Sequence, residues 1–380
     1  MKKLKFIDLF SGIGGFHIAL SKLGHTCVLA SDINKYANEV YEKNHKLKPK
    51  EDITKIPLDE IEDHDILCAG FPCQPFSNAG DKKGFNDTRG TLFHNIANIL
   101  GHKKPKYIIL ENVKHLVKHD KGNTYKVIKE KLKELGYVLP KKDVILSPHL
   151  FGVPQRRERI YILGIRKDQI NSEELEFNFD DLVNKKLINI LDDTVDKKYN
   201  ISDYELNILN AWEEIKKELG DKISGFPIYV DYFEYNEPTE NLQKWKQDYI
   251  AKNQKFYKEN KEILDKWMNK YKVRDFNTRD RRFEWQAGKN YKSIWDTYIQ
   301  LRQSGIRCKK PDYFPTLVAM VQTPIIGKFK RRLTPREAAR LQSFPEDFEM
   351  DLNDHQAYKQ FGNSVNVEVV KYLANKLLAI

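Results

Sequence analysis

The cysteine at position 73 is the residue whose type and setting point most directly to chemistry. It stands between two prolines in Phe71-Pro72-Cys73-Gln74-Pro75-Phe76-Ser77, and the apolar run before it, residues 65–70, predicts a buried strand. Open α/β sheets bind their ligands at the carboxyl ends of the strands, and prolines restrict the direction in which the thiol points. The setting favours a nucleophile, although a lone cysteine is more often a small buried apolar residue.

Two groups of polar residues follow other predicted strands and belong to the same edge. Glu111-Asn112 ends one strand, and Gln155, Arg157 and Arg159 alternate along another, so that they would share one face of it. A glutamate beside a nucleophile is best explained as an acid, and planar guanidinium groups can hold a carboxylate, a base carbonyl or a phosphate. The sequence therefore predicts a catalytic site at this edge of a sheet.

A glycine-rich turn near the start of the chain predicts a nucleoside-type cofactor. The predicted strand at residues 5–10 runs into Ser11-Gly12-Ile13-Gly14-Gly15-Phe16, where glycines permit a sharp turn and a close approach by a ligand. A dinucleotide fingerprint needs a further glycine at position 17, which is histidine here. Asp32 ends the second predicted strand, where its carboxylate can accept hydrogen bonds from ribose hydroxyls. A tight turn without a ligand is the alternative.

The elements that must position these residues are those of an α/β domain, a sheet flanked by helices. Strands are predicted at residues 5–10, 27–30, 65–69, 107–111 and 160–165. Helices are predicted at residues 16–23 and 125–135, each stopped by a glycine. Thr334 to Glu337 predicts a capped helix start, and residues 367–378 predict a last amphipathic helix.

The middle of the chain differs in character from both ends. Residues 168–325 are rich in lysine and tyrosine, show weak periodicity and contain all five tryptophans. We therefore expect residues 1–167 to form a catalytic and cofactor-binding domain, residues 168–325 a second, smaller domain, and residues 326–380 to return to the first and complete the cofactor site.

The charge favours a polyanionic partner. The formal net charge is +11 and the isoelectric point is about 9.1. Basic residues also form two clusters, Arg274, Arg279, Arg281 and Arg282, and Lys328, Lys330, Arg331 and Arg332. A solvated lysine-rich surface is the alternative explanation of the net charge, but the clusters favour nucleic acid.

Several classes of protein do not fit the sequence. The four cysteines are scattered, so neither a disulfide framework nor a metal site is indicated. Apolar runs fall short of the roughly 18 residues that a membrane span needs, and a secretory signal is not apparent. We expect a cytoplasmic protein that binds neither a metal nor a membrane.

Seven motifs in order resemble those of a bacterial DNA (cytosine-5)-methyltransferase of the restriction-modification type. The motifs lie within residues 4–165 and 330–380. They are Asp8-Leu9-Phe10-Ser11-Gly12-Ile13-Gly14-Gly15-Phe16, Gly70-Phe71-Pro72-Cys73-Gln74-Pro75-Phe76-Ser77, Arg89-Gly90-Thr91-Leu92-Phe93, Glu111-Asn112-Val113, Gln155-Arg156-Arg157-Glu158-Arg159, Arg336-Glu337-Ala338-Ala339-Arg340-Leu341 and Gly362-Asn363-Ser364-Val365.

The resemblance implies a class I S-adenosylmethionine-dependent methyltransferase fold, with residues 168–325 as a target-recognition domain. It implies methyl transfer from S-adenosylmethionine, leaving S-adenosylhomocysteine, to C5 of a cytosine flipped out of double-stranded DNA. We also expect a monomer, with a cognate restriction endonuclease as a possible genetic partner.

The resemblance also implies which residues contact the cofactor. They are Phe10, Gly12, Ile13, Asp32, Ile33, Asp52, Ile53, Pro72, Leu92, Asn363 and Val365. Asp52 would accept from the adenine amino group and Ile53 would cover a ring face. The family usually has glutamate where this chain has Asp32, so the ribose contact is expected to be longer or bridged by water.

The implied mechanism makes C5 of cytosine an enamine carbon. The Cys73 thiolate adds to C6 while protonated Glu111 donates to N3, and positive charge from Arg157 or Arg159 favours the thiolate. Burial would keep Glu111 protonated near neutral pH. We expect Arg159 to contact the cytosine O2.

Contacts to DNA are predicted in two places. Residues 78–87 are polar and punctuated by glycine, which predicts a loop that closes over DNA with Ser77 and Lys82 near phosphates. Sequence reading is expected from Arg279, Arg281, Arg282 and Thr316, the last in Phe314-Pro315-Thr316-Leu317, a short pattern that resembles one in the family's recognition domain.

Other readings of the sequence remain open. A transfer-RNA cytosine-5 methyltransferase would carry the same catalytic residues, although the long basic middle segment favours a DNA enzyme. A catalytically inactive DNA-binding relative is countered by the complete set of Cys73, Glu111 and Arg159. Neither the turn of an exocyclic-amine methyltransferase nor the glycine pattern of an NAD enzyme is found.

Overall fold

The computed structural model describes residues 2–71, 92–182, 185–318, 322–351 and 353–380. Its strands, in chain order, are β1 Lys5–Leu9, β2 Thr26–Ser31, β3 Ile66–Gly70, β4 Tyr107–Val113, β5 Tyr137–Val138, β6 Val144–Leu146, β7 Gln155–Arg156, β8 Arg159–Arg166, β9 Ile228–Tyr229, β10 Arg282–Gln286, β11 Tyr298–Arg302, β12 Gly305–Lys309, β13 Phe314–Pro315, β14 Ile325–Ile326 and β15 Arg331–Arg332. Its α-helices are α1 Gly15–Ser21, α2 Lys35–His45, α3 Leu92–Lys103, α4 Asn123–Glu134, α5 Asp203–Leu219, α6 Lys244–Glu259, α7 Lys261–Tyr271, α8 Pro335–Leu341, α9 Asp354–Asn363 and α10 Val367–Leu378.

The chain divides into two compact units. The first unit comprises Met1–Ile190, Thr316–Val321 and Pro335–Ile380, and the second comprises Leu191–Pro315 and Gln322–Thr334. The division after residue 190 lies further along the chain than residue 167, where the change in composition suggested a boundary. The sequence-based domain assignment, with its functional roles, stays a prediction.

A seven-stranded sheet forms the centre of the first unit. Its order is β2-β1-β3-β4-β8-β5, with β6 also paired to β8. The four strands β2, β1, β3 and β4 run parallel. Apolar runs such as Ile66 to Ala69 are buried throughout, as expected for strands that are covered on both faces. The predicted α/β class is confirmed.

The predicted strand at residues 160–165 lies in β8, but it runs antiparallel to β4. The strand predicted to carry Gln155, Arg157 and Arg159 is interrupted, because β7 ends at Arg156 and β8 begins at Arg159. The expectation that these three side chains share one strand face was therefore wrong. The interruption lets each side chain take its own direction.

Asparagine side chains cap the starts of two helices of the first unit. The Asn34 side chain accepts from the amides of Tyr36 and Ala37 at the start of α2, and Asn366 accepts from Val369 in α10. The last helix spans the predicted residues 367–378. Both caps lie beside residues of the predicted cofactor site.

The second unit has a separate core and sheet. Its six-stranded sheet has the order β15-β14-β11-β12-β10-β9. Trp212, Trp267 and Trp285 are buried in its core, and the Trp212 ring stacks on Phe283 with ring centroids 4.7 Å apart. Alternation along β10 sends Phe283 and Trp285 into this core, so the opposite face of the sheet is polar.

None of the helices in the described parts of the chain is long and apolar enough to cross a membrane.

Candidate active site

A cavity of about 390 Å³ lies in the first unit, at the carboxyl ends of β1 to β4. Nine of the predicted cofactor residues line it: Phe10, Gly12, Asp32, Ile33, Asp52, Ile53, Leu92, Asn363 and Val365. Glu111, Arg157 and Arg159 line the same cavity. The structure thus brings together residues that lie far apart in the sequence.

Of the other predicted cofactor, catalytic and loop residues, one does not line the cavity and four lie outside the described residues. Ile13 is buried and is not among the residues that line the cavity. Pro72, Cys73, Ser77 and Lys82 lie outside the described residues, as does the predicted DNA loop at residues 78–87.

The glycine turn is held by Asp32, which makes two hydrogen bonds to backbone amides. The Gly12 amide donates to Oδ2 of Asp32 at 2.9 Å, and the Asn34 amide donates to Oδ1 at 2.8 Å. Gly15 starts α1 so close to Val365 that an added Cβ would lie 2.7 Å from Cγ2 of that residue. The carboxylate predicted to bind a ribose therefore also shapes the turn.

The far end of the cavity combines a carboxylate with apolar side chains. Oδ1 of Asp52 accepts from the Thr54 hydroxyl at 2.7 Å and from its amide at 3.0 Å, and these bonds lower the pKa of Asp52. Ile53 is buried, whereas Ile33 is 79% exposed. An ionised acceptor that lines the same cavity as two isoleucines can accept from an amino group, while the isoleucines can cover the faces of a flat ring.

The catalytic end of the cavity holds a buried ion pair. Glu111 is 9% exposed, and its Oε1 lies 3.0 Å from Nε of Arg159. Burial raises the pKa of Glu111, while the positive charges of Arg159 and then Arg157 oppose the rise. A carboxyl group with a raised pKa next to a guanidinium can donate a proton and can hold the resulting charge.

Arg157 forms hydrogen bonds to backbone carbonyls of its own unit. Its guanidinium donates to the carbonyl of Leu317 at 2.7 Å and to those of Gly362 and Ser364, each at 2.9 Å. Burial, and next the charge of Arg159, lowers the pKa of Arg157 to about 9. These contacts hold the Gly362–Ser364 segment against the cavity, so Arg157 is better described as a positioning residue than as a group that touches the substrate.

Gln155 is likewise structural in its contacts. Its Nε2 donates to the Leu341 carbonyl at 2.7 Å, and its Oε1 accepts from the Leu317 amide at 3.3 Å. Of the three residues predicted to share a strand face, Arg159 is the one that pairs with Glu111.

Several contributors were missed by the sequence reasoning. The Asn112 side chain, which is buried, donates to the Phe71 carbonyl at 2.9 Å and so ties the end of β4 to the end of β3. Lys359 and Gln360 line the cavity together with Asn363. Their spacing of four and three residues from Asn363 on α9 is a helical signal that could have identified them.

The predicted DNA-binding arginines lie in the second unit and have partners there. Arg279 donates to Asp280 at 2.6 Å, Arg281 lies 3.0 Å from Asp231, and the Arg282 guanidinium lies 5.3 Å from the centre of the Tyr229 ring. Thr316 belongs to the first unit, where its hydroxyl donates to the Arg156 carbonyl at 2.7 Å. The structure thus assigns Thr316 and the arginines to different units.

Within the described residues, no group of three or more histidine, cysteine, aspartate or glutamate side chains is arranged to hold a metal ion. The expectation that the reaction uses no metal stays an expectation.

Comparisons with known proteins identify the family of the chain. The profile of the family described as C-5 cytosine-specific DNA methylase matches residues 4–379. The chain is 36% identical to Type II methyltransferase M.SsoII of Shigella sonnei, over 99% of this chain and 80% of that protein. It is 34% identical to Type II methyltransferase M.HhaI of Haemophilus parahaemolyticus, over 98% of this chain and 93% of that protein. Among solved structures, the S. pombe Dnmt2 methyltransferase has a similar fold, with a TM-score of 0.54, 23% identity and 99% coverage of both chains.

Proposed function

Because the chain belongs to the C-5 cytosine-specific DNA methylase family and is a DNA cytosine-5 methyltransferase, we propose that Cys73 is its nucleophile, Glu111 its general acid and Arg159 its anchor for the target base. The predicted family, class I methyltransferase fold and reaction are confirmed. The roles of individual residues are proposals.

S-adenosylmethionine, the cofactor of the family, supplies an electrophilic methyl group when it is bound. The lining residues fit it: Asp32 and Asp52 offer carboxylates for ribose and adenine, and Ile33 and Ile53 offer apolar faces. The Gly12 and Asn34 amides each donate to one oxygen of the Asp32 carboxylate, and the remaining lone pairs of these oxygens can accept from a ribose hydroxyl.

The proposed steps at the base conserve protons and electrons. The Cys73 thiolate forms a bond to C6 while Glu111 donates its proton to N3, so the electron pair of the C5–C6 double bond becomes available at C5 for the methyl group. A base from the solvent then takes the C5 proton, the electron pair of that C–H bond re-forms the C5–C6 double bond, and the bond between sulfur and C6 breaks to return the Cys73 thiolate. Glu111 recovers the N3 proton. Arg159 compensates the negative charge left on Glu111.

The observation that carries this proposal is the buried pair of Glu111 and Arg159 in the cavity that the cofactor residues line. Burial alone would raise the pKa of a glutamate but would not stabilise the carboxylate that remains after proton donation. The adjacent guanidinium also stabilises the ionised form that follows proton donation.

We propose that the second unit reads the target sequence. The polar face of its sheet places Gln300, Arg307 and Glu284 in register on three neighbouring strands, and Arg307 pairs with Glu284 at 2.6 Å. Amide and guanidinium groups in such a row match base edges in the major groove. Arg282 lies on the same face of β10 as Glu284, so Arg282→Gln should change the methylated motif or weaken DNA binding. An unchanged motif and rate would count against this assignment.

Genomic mapping tests the function as a whole. The chain would be expressed in a host that lacks DNA methylation, with Cys73→Ser as the inactive control, and 5-methylcytosine would be mapped by bisulfite sequencing. We expect one short motif to be methylated by the wild type alone. Purified protein should methylate duplex DNA, and transfer only to transfer RNA would favour the RNA alternative.

The role of the enzyme in the cell is inferred from the same reaction. We propose that the enzyme acts as a monomer in the compartment that holds the DNA, and that it protects sites cut by a restriction endonuclease with the same target, since similar proteins are named Type II methyltransferases. A complementary endonuclease gene beside this one would support the pairing.

A further inference from the structure

The glycine turn has a front, which lines the cofactor cavity, and a back, which does not. Phe10, Ser11 and Gly12 line the cavity, whereas Ile13 and Gly14 are not among its lining residues. At the back stands His45, the last residue of α2, whose Nε2 lies 3.2 Å from the Ile13 carbonyl oxygen. This contact joins two segments that are 32 residues apart in the chain.

The imidazole of His45 occupies the space that a side chain on Gly14 would need. A Cβ built on Gly14 would lie 2.2 Å from Nε2 of His45 and 3.0 Å from the Tyr41 ring. Gly14 also has a φ of 88°, a backbone conformation that favours glycine. The close approach of His45 to the turn therefore requires glycine at position 14.

Two aromatic neighbours fix the orientation of His45. Its ring stacks on that of His17 with centroids 4.1 Å apart, and the centroid of the Tyr41 ring lies 4.5 Å from that of His45 at an interplanar angle of 64°. Nδ1 of His17 is 2.7 Å from the Tyr41 hydroxyl, which holds the second ring in turn. The group lies on α1, α2 and the turn, all within the first unit.

The chemical state of His45 follows from its partner. A carbonyl oxygen can only accept, so Nε2 of His45 must carry the hydrogen. Burial lowers the pKa of His45 to about 4 and that of His17 to about 3, so neither ring is charged at neutral pH. A neutral donor is thus directed at the back of the turn.

We propose that His45 is a positioning residue for cofactor binding, because its Nε2–H holds the Ile13 carbonyl and so presets the turn whose front contacts the cofactor. The inference rests on the proposed cofactor site. Without His45 the cofactor itself would have to order the turn. The free-energy cost of this ordering would weaken cofactor binding. The chemical step would be spared, because once the cofactor is bound the front of the turn is in place.

The test separates the hydrogen bond from the bulk of the side chain. His45→Leu removes the donor and keeps an apolar filler, whereas His45→Gln restores an N–H close to the position of Nε2. Lys43→Met, an exposed change at the same end of α2 that breaks only a surface ion pair with Glu349, is the matched control. For each variant, titration calorimetry would give the Kd of S-adenosylhomocysteine, and steady-state rates would give KM for S-adenosylmethionine and kcat on duplex DNA.

We expect His45→Leu to weaken S-adenosylhomocysteine binding about tenfold, in line with the loss of one hydrogen bond, and to raise KM by a similar factor. Its kcat at saturating cofactor should stay within about twofold, and His45→Gln should recover most of the affinity. Equal losses in both histidine variants, no loss in either, or a fall in kcat alone would overturn the proposal. A wild-type protein that bound no S-adenosylhomocysteine would instead overturn the proposed function on which it rests.

Discussion

Nε of Arg159 lies 3.0 Å from Oε1 of Glu111, at the place where β8 begins and β4 is about to end. The antiparallel register pairs Arg159 with Val113, so Glu111 is its diagonal neighbour on the adjacent strand. The two side chains therefore meet because of the strand register, and both are carried by strands rather than by loops. This rigid placement suits a proton donor and the charge that must stabilise its conjugate base.

Replacing the proposed acid should slow chemistry and spare cofactor binding. Glu111→Gln keeps the shape of the side chain but removes the proton that is donated to N3, so single-turnover methyl transfer should fall by about 10²–10⁴-fold, the usual contribution of a general acid. The Kd of S-adenosylhomocysteine should change by less than about threefold. A variant that retained a tenth or more of the wild-type rate would argue against the assigned role.

The pH dependence of the rate should report the environment of Glu111. Burial raises its pKa and Arg159 opposes the rise, so the reactive acid form is lost as pH increases through that pKa. In Arg159→Met the opposing charge is gone, and the descending limb of the single-turnover profile should move to higher pH, even though the rate on the plateau is lower. A limb that stayed in place or moved to lower pH would contradict this coupling. Arg156→Met, which changes an exposed residue on β7, is the control.

Arg157 should matter for stability as much as for activity. Arg157→Met leaves the carbonyls of Leu317, Gly362 and Ser364 without these donors. The Ser364 carbonyl keeps a donor in Gln342, so two carbonyls lose their partner. At about 1–3 kcal/mol for each unsatisfied buried group, the free energy of unfolding in urea should fall by about 2–6 kcal/mol. Arg156→Met serves again as the exposed control, and equal stability of the two variants would refute the positioning role.

The strands of the central sheet could be predicted because the signal for each strand lies in a few consecutive residues. Runs such as Ile66 to Ala69 are apolar at every position and lie between turn residues, and this pattern predicts a strand covered on both faces. The last helix likewise combines a capping Asn366 with helical spacing of its buried residues. The same strand-end logic indicated the glycine turn and Asp32, whereas the other predicted cofactor residues came from the resemblance to the methyltransferase family.

The role of Arg157 could not be predicted, because its partners are distant in the chain. The three carbonyls lie 160, 205 and 207 residues away, and nothing in the spacing of Gln155, Arg157 and Arg159 indicates them. Period-two alternation suggested a shared strand face, but this requires one continuous strand, and the strand is interrupted between β7 and β8. His45 was missed for a similar reason, since its function depends on a backbone carbonyl that carries no sequence signal.

Acid should destabilise the protein through the pair of histidines behind the glycine turn. Burial lowers the pKa of His17 to about 3 and that of His45 to about 4, so between these values and the ordinary pKa near 6.5 the unfolded chain binds more protons than the folded chain. Their contribution to stability is present above about pH 6.5 and is lost as the pH falls through about 4. In thermal melts His17→Phe, which keeps a ring but cannot titrate, should flatten the fall of Tm over this interval. A slope in His17→Phe as steep as that of the wild type would contradict the account.

The central claim is that Cys73 bonds to C6 of the target cytosine, and trapping that bond tests it most directly. Duplex DNA with 5-fluorocytosine at the methylated position blocks loss of the C5 substituent, so the enzyme and S-adenosylmethionine should form a complex that survives denaturing electrophoresis. Peptide mapping by mass spectrometry should place the modified, methylated base on Cys73, and Cys73→Ser should form no such complex. A stable adduct on another residue, or full methyl transfer by Cys73→Ser to ordinary duplex DNA, would contradict the mechanism.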